Sequence, residues 1–196
     1  MRYFIIFLLS ILPVSMAHAD RIAIPVWTMQ KENSHIKFEA KQMGAEVEGK
    51  FEKFESEIYF DPHILSTGNV KVTVDVASVN TDYDKRDATM TGKEWFDIEN
   101  HPTVTFTCNN FQRVSGSAEK GEYSCDGKLK ILDVTKDITL PFHLEITEAN
   151  GKRIADMTSK LTLNRQDFKL GRGDWADSSI IGNDVILDIA VKATTP

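Results

Sequence analysis

The sequence predicts an all-β protein, built as a single antiparallel up-and-down barrel of about eight strands with one or two short helical insertions. Apolar and polar residues alternate with a period of two along most of the chain from residue 35 onward, which is the period of a strand with one buried face. Turn-forming residues separate these segments at Ser66–Asn69, Ser115–Ser117 and Asn150–Gly151. Long strands joined by short turns favour a meander that closes on itself.

The strands follow from the alternation, taken in chain order. Ile36, Phe38 and Ala40 alternate with charged residues, and a second segment ends at Phe51. Ile58 and Phe60 precede Asp61-Pro62, which ends a third strand. The remaining apolar positions that share one face are Val70, Val72, Val74, Val76, Val104, Phe106, Leu129, Ile131, Ile138, Leu140, Phe142, Leu144, Ile146, Met157, Leu161, Leu163, Val185, Leu187, Ile189 and Val191.

Two segments interrupt the alternation, residues 81–100 and 165–182. The first predicts a short helix within Asp82–Lys93, with Asp82 or Asp84 as N-cap. Large apolar residues occur in both segments: Met90, Trp95, Phe96, Phe168, Leu170 and Trp175. They either lie at a barrel mouth and dip into it, or fill one end of the barrel as ordinary core.

The N-terminus predicts export. Met1-Arg2 precedes an apolar run to Val14, and Ala17-His18-Ala19 is a cleavage site of the A-x-A type. The run is too short for a membrane span of about 20 residues. We therefore expect residues 1–19 to be a cleaved signal peptide and residues 20–196 to form one domain, located in the periplasm, with secretion as the alternative.

The composition argues against several classes of function. A net charge of −6 disfavours nucleic acid and anionic membrane surfaces as partners. The histidines lack the spacing of a zinc site, and no nucleophile elbow, phosphate-binding loop or dinucleotide fingerprint is present. We expect neither a metal nor another cofactor, and no catalysis.

Cys108 and Cys125 predict a disulfide in an oxidising compartment. A hairpin centred at Gly116-Ser117 places the two residues directly opposite each other on the apolar face. The alternative is a reduced, buried pair, which a one-residue bulge would be enough to produce.

A series of short motifs, in order along the chain, resembles one family. Ser34–Phe38 resembles its first-strand pattern, Gly49–Phe51 with Phe54 its G-x-F-x-x-F turn, and Phe60–Pro62 the strand end that follows. Further matches are Ala77–Thr81 with Arg86-Asp87, Trp95–Asp97, Pro102, Phe106, Gly127–Leu129, Val134–Lys136, Asn164–Phe168 and Gly182–Val185. This is the YceI-like family of periplasmic polyisoprenoid-binding proteins.

The resemblance implies a lipocalin-like barrel that carries an isoprenoid or isoprenoid-quinone-like lipid in an apolar tunnel. The tunnel and its mouth would be formed by Phe38, Val47, Phe51, Phe60, Val72, Val74, Met90, Trp95, Phe96, Phe106, Leu129, Phe142, Leu161, Phe168, Trp175 and Arg86. Arg86 would meet an anionic headgroup, or else pair with Asp87 to fix the loop. The resemblance also implies a homodimer and, as the alternative function, an accessory partner of a membrane cytochrome b.

Overall fold

The computed structural model describes residues 24–196, so the predicted signal peptide and its cleavage site lie outside the described residues. Eleven strand segments and one α-helix make up this part of the chain. Their bounds are β1 Val26–Met29, β2 His35–Gln42, β3 Ala45–Phe51, β4 Phe54–Tyr59, β5 Asn69–Asp75, β6 Val79–Asn80, α1 Asp84–Thr91, β7 Thr103–Gly116, β8 Lys120–Ile131, β9 Val134–Ala149, β10 Lys152–Asn164 and β11 Asp184–Thr194. Among residues 24–196 no helix is both long enough and apolar enough to cross a lipid bilayer.

The strands form a closed, eight-stranded antiparallel barrel of up-and-down topology, as predicted. Three of its eight strands are interrupted: β1 continues as β2, β3 as β4, and β5 as β6. β1 and β2 both pair with β11 on one side and with β4 and β3 on the other, and β5 and β6 pair with β4 and β3 respectively. β11 closes the barrel by pairing with both β1 and β2. Because the first and last strands pair with each other, the barrel formed by residues 24–196 has no long unpaired edge.

The two ends of the barrel differ. The end at which β7 stops and β8 starts is filled by buried side chains, and we call it the closed end. It includes Phe60, Tyr123 and Phe142, whose rings contact one another: the centroids of Tyr123 and Phe142 are 5.4 Å apart, and those of Phe60 and Tyr123 are 6.0 Å apart. The Tyr123 hydroxyl donates to the Ala118 carbonyl at 2.7 Å. Burial raises the pKa of this phenol.

Helix α1 and both insertions lie at the opposite end. The helix forms where predicted, but its N-cap is Tyr83 and neither of the two aspartates. Asp82 has a positive φ of 56°, and Asp84 is already the first helical residue. No side chain caps the helix. The carboxylate of Asp87 instead accepts hydrogen bonds from the backbone N–H and the hydroxyl of Thr81, which holds the segment before the helix against its first turns. The second insertion contains only short 3-10 turns, at Arg165–Phe168 and Gly173–Ala176.

Cys108 and Cys125 form the predicted disulfide, with a Cα–Cα distance of 6.2 Å. The predicted register was wrong, however. Cys108 lies opposite Gly127, and Cys125 lies opposite Phe111, so the bridge runs diagonally across β7 and β8. The turn is centred two residues later than Gly116-Ser117. Register shifts between Arg113 and Ser115 and between Cys108 and Asn110 remove only part of this offset, so Cys108 pairs with Gly127 and not with Cys125.

Candidate functional site: an apolar cavity that opens beside helix α1

A cavity of about 410 Å³ occupies the barrel interior between the closed end and the two insertions. Its volume falls in the range of about 300–1,000 Å³ that is usual for small-molecule sites. Every strand segment except β6 contributes at least one wall residue, because the inward positions of a closed barrel all face the same space. The wall is made mainly of Val, Leu, Ile, Met and aromatic side chains.

Most of the predicted tunnel residues line this cavity. They are Phe38, Val47, Phe51, Val72, Val74, Arg86, Met90, Trp95, Phe96, Phe106, Leu129, Leu161, Phe168 and Trp175. The structure brings the other two, Phe60 and Phe142, into the closed-end core instead. They face inward as the alternation predicts, but they lie deeper than the floor of the cavity and are covered by neighbouring rings.

The ring of Phe38 lies directly over Gly49, its partner on β3. A Cβ atom at Gly49 would come within 2.3 Å of the Phe38 ring. The absence of a side chain at Gly49 therefore allows Phe38 to lie back against the wall. This contact helps to set the width of the cavity on the β2–β3 side.

The two insertions cover the end of the barrel opposite the closed end. Phe96 from the first insertion and Phe168 and Leu170 from the second are buried in one cluster with Val76 and Leu129. The large apolar residues of the two insertions therefore do both things that the sequence allowed: they fill this end of the barrel as core, and they line the cavity. Trp95 and Trp175 connect the two insertions, with ring centroids 6.1 Å apart.

Arg165 holds the second insertion in place, and the sequence interpretation gave it no role. Its side chain is only 2% exposed. Burial lowers the pKa of the guanidinium, which still stays charged because arginine starts from so high a value. The guanidinium lies 5.7 Å from the centroid of the Trp95 ring. It donates to five backbone carbonyls, those of Leu170, Gly171, Trp175, Ile181 and Gly182, at 2.8–3.2 Å.

The position of Gly171 explains how these carbonyls converge. Its φ is +72°, and a Cβ atom there would come within 2.5 Å of Arg165 Nη1. Gly171, six residues after the arginine, is the sequence signal that could have identified this arrangement, because only glycine combines this φ with so close an approach.

Polar side chains line the cavity beside α1, and we call this opening the mouth. They are Lys41, Gln42, Tyr83, Lys85, Arg86 and Thr89. Tyr83 lines the cavity and is also 52% exposed, so the cavity reaches solvent here.

Arg86 spans the mouth. It donates to the hydroxyl of Thr81 at 2.9 Å and to its carbonyl at 3.0 Å, and it reaches Gln42 of β2 at 3.5 Å. Asp87 binds Thr81 as well, so the expected Arg86–Asp87 ion pair is replaced by a shared partner. No carboxylate of residues 24–196 lies within 4.0 Å of the Arg86 guanidinium.

Two polar atoms of the wall are buried without a hydrogen-bond partner in the described part of the chain. They are the hydroxyl of Ser56 and the indole Nε1 of Trp95. Ser56 interrupts the inward apolar positions Phe54 and Ile58 of β4, which is a signal that the sequence interpretation missed. An unpaired buried donor costs about 1–3 kcal/mol, so both atoms are available to a ligand.

The residues that line the cavity include no Asp, Glu, His or Cys. The Ser56 hydroxyl therefore has no carboxylate or imidazole of the cavity lining beside it. Among residues 24–196, no three His, Cys, Asp or Glu side chains are grouped as a metal site would require. The geometry supports the binding of an apolar molecule.

Comparisons with known proteins agree with this fold. The chain is 29% identical to a UPF0312 protein of Pectobacterium atrosepticum over 191 residues, which cover 94% of this chain and 95% of that protein. The crystal structure of Burkholderia cenocepacia BcnA superposes with a TM-score of 0.74 at 27% identity, covering 84% of this chain and 99% of BcnA. A polyisoprenoid-binding domain from Saccharophagus degradans, implicated in plant cell wall breakdown, has the same fold with a TM-score of 0.67. It shares 15% identity over 88% of this chain and 99% of that domain.

A family model, the YceI-like domain, matches residues 27–193. The match begins in β1 and ends in β11, so it covers the whole barrel together with both insertions. The chain belongs to the YceI-like domain family.

Proposed function

We propose that this protein binds a long-chain isoprenoid lipid, a polyprenyl compound or an isoprenoid quinone, and carries it through the periplasm. The observation that carries the proposal is the enclosed apolar cavity of about 410 Å³ within a closed barrel. Burial of an apolar chain there gains about 25 cal/mol for each Å² removed from water. The Saccharophagus degradans domain, described as polyisoprenoid-binding, has the same fold, and the predicted signal peptide supports the periplasmic location.

The polar residues of the mouth give the ligand its orientation. The hydrocarbon chain fills the apolar interior, and the polar group stays near Lys41, Lys85 and Arg86 at the mouth. Specificity in such sites comes from a few polar contacts, while the apolar wall supplies most of the affinity. The shared fold of the polyisoprenoid-binding domain supports a carrier in preference to a lipid hydrolase.

The test is ligand uptake by a variant with a filled cavity. Leu161→Trp places an indole in the interior from β10, and Lys160→Trp places the same group on the outer face of the same strand. Purified wild type and Lys160→Trp should take up solanesol or ubiquinone from dilute dispersion, with bound lipid measured by native mass spectrometry. Leu161→Trp should stay folded and lose uptake. Equal uptake by both variants, or none by wild type, would refute the proposal.

A further inference from the structure

Two exposed side chains with large apolar groups lie at the mouth. Met43 at the tip of the β2–β3 hairpin is 79% exposed, and Tyr83 at the start of α1 is 52% exposed. Arg86 connects the two positions, because it contacts Gln42, the neighbour of Met43, and its guanidinium lies 5.6 Å from the centroid of the Tyr83 ring. The two apolar groups therefore flank the opening of the apolar cavity.

Met43 also occupies a turn position whose backbone conformation favours a different residue type. Its φ is +51°, and the next residue, Gly44, has a φ of +82°. Two-residue hairpin turns with positive φ at both positions strongly prefer Asn, Asp or Gly at the first. A methionine there carries a backbone penalty, and such strain concentrates at functional positions.

The hairpin tip is held firmly although its side chain is free. The backbone N–H of Met43 donates to the Ile180 carbonyl at 2.8 Å, and the N–H of Gly182 donates to the Lys41 carbonyl at 2.8 Å. The fold thus presents an apolar side chain to solvent at a fixed place beside the mouth.

We propose that the mouth end docks on a lipid bilayer, with Met43 and Tyr83 inserted into its interfacial layer, so that the ligand passes between membrane and cavity without crossing water. The proposal rests on the proposed function, because a ligand that water excludes resides in membranes. Charges of both signs surround these residues, with Lys41, Lys85 and Arg86 set against Asp82, Asp84 and Asp87. Apolar insertion, and not attraction to anionic headgroups, therefore provides the affinity.

The experiment measures binding to phosphatidylcholine vesicles by flotation. Met43→Asn removes the apolar group and supplies the residue that the turn prefers, so the fold should be at least as stable. We expect its partition onto vesicles to fall about tenfold relative to wild type. Met43→Trp should bind more tightly than wild type, because Trp favours the membrane interface.

The matched control is Val114→Asn, since Val114 is 68% exposed near the closed end. It should bind vesicles like wild type. Uptake of solanesol from vesicle-free dispersion should be equal for wild type, Met43→Asn and Val114→Asn, since neither residue lines the cavity. Transfer from solanesol-loaded vesicles should be slower for Met43→Asn alone.

Three results would overturn the docking proposal. The first is equal vesicle binding by wild type and Met43→Asn, and the second is vesicle binding that high salt abolishes. The third is a wild-type dimer that Met43→Asn converts to monomer, because the hairpin tip would then contact a second copy of this chain. Failure of wild type to take up solanesol from vesicle-free dispersion would instead refute the proposed function.

Discussion

At the scale of single residues, the width of the cavity depends on how closely its wall side chains lie against the strands. The contact between the Phe38 ring and Gly49 can be tested by adding one methyl group. Gly49→Ala would place a methyl group where the Phe38 ring lies. The ring should swing toward the barrel interior, so ligand affinity should fall several-fold while the barrel stays folded. Isothermal titration with solanesol in detergent measures the effect. Glu48→Ala, on the outer face of the same strand, should bind like wild type.

Arg165 is the residue on which the second insertion depends. Arg165→Met would leave five backbone carbonyls without their donor. We expect a loss of about 3 kcal/mol or more in the free energy of unfolding, which corresponds to a decrease in Tm of roughly 6–12 °C for a domain of this size.

Thermal unfolding followed by circular dichroism measures this loss. Arg172→Met is the matched control, because Arg172 is exposed in the same segment and its side chain donates to one carbonyl, that of Lys93. If Arg165→Met and Arg172→Met melted at the same temperature, the anchoring role of Arg165 would be wrong.

At the scale of elements, the disulfide connects the two strands of the β7–β8 hairpin. Its position away from the cavity means that its loss should lower the stability of the fold without changing ligand affinity. Cys108 and Cys125 lie in the closed-end core and not in the cavity wall. Replacing both by alanine should lower the free energy of unfolding by about 3 kcal/mol for a sequence separation of 17 residues. Urea unfolding with and without dithiothreitol measures this loss. Ligand affinity should not change, and dithiothreitol should destabilise wild type but not the variant.

Helix α1 is attached to the β2 side of the mouth through Arg86. Arg86→Met removes the contacts with Thr81 and Gln42, so α1 should move more freely and bound ligand should leave several-fold faster. Stopped-flow displacement, followed by the fluorescence of Trp95 and Trp175, measures the rate. Lys93→Met, an exposed change in the same insertion, should leave the rate unaltered.

The sequence identifies the inward face of each strand, but it does not give the depth of a residue along the barrel. Val72, Phe106 and Leu161 line the cavity as predicted, whereas Phe60 and Phe142 have the same alternation and lie in the closed end. The register of β7 and β8 escaped prediction because the turn is centred two residues later than its Gly116-Ser117 signal, and because residues 109 and 114 are left out of the pairing. No residue type predicts such a bulge. The partners of Arg165 come from several loops that only the folded chain brings together.

At the scale of the whole molecule, we expect export to bring the chain into an oxidising compartment, where the disulfide can form. We expect the chain expressed in a Gram-negative bacterium to appear in the periplasm with Asp20 as its first residue, which N-terminal sequencing would check. A product that begins at Met1 and stays with the membrane would contradict the predicted signal peptide. Thiol titration of the unfolded, unreduced protein should then find Cys108 and Cys125 oxidised.

The closed end has a further consequence for a chain-like ligand. A molecule that is inserted tail first must stop at the rings of Phe60, Tyr123 and Phe142, and any remaining length has to stay outside the barrel. The affinity then depends on the length of the tail. Each added isoprene unit strengthens binding until the tail touches those rings, and later units add nothing. Affinity measured across a series of prenols of increasing length should rise and then level off, and the length at the break is the depth of the barrel expressed in isoprene units.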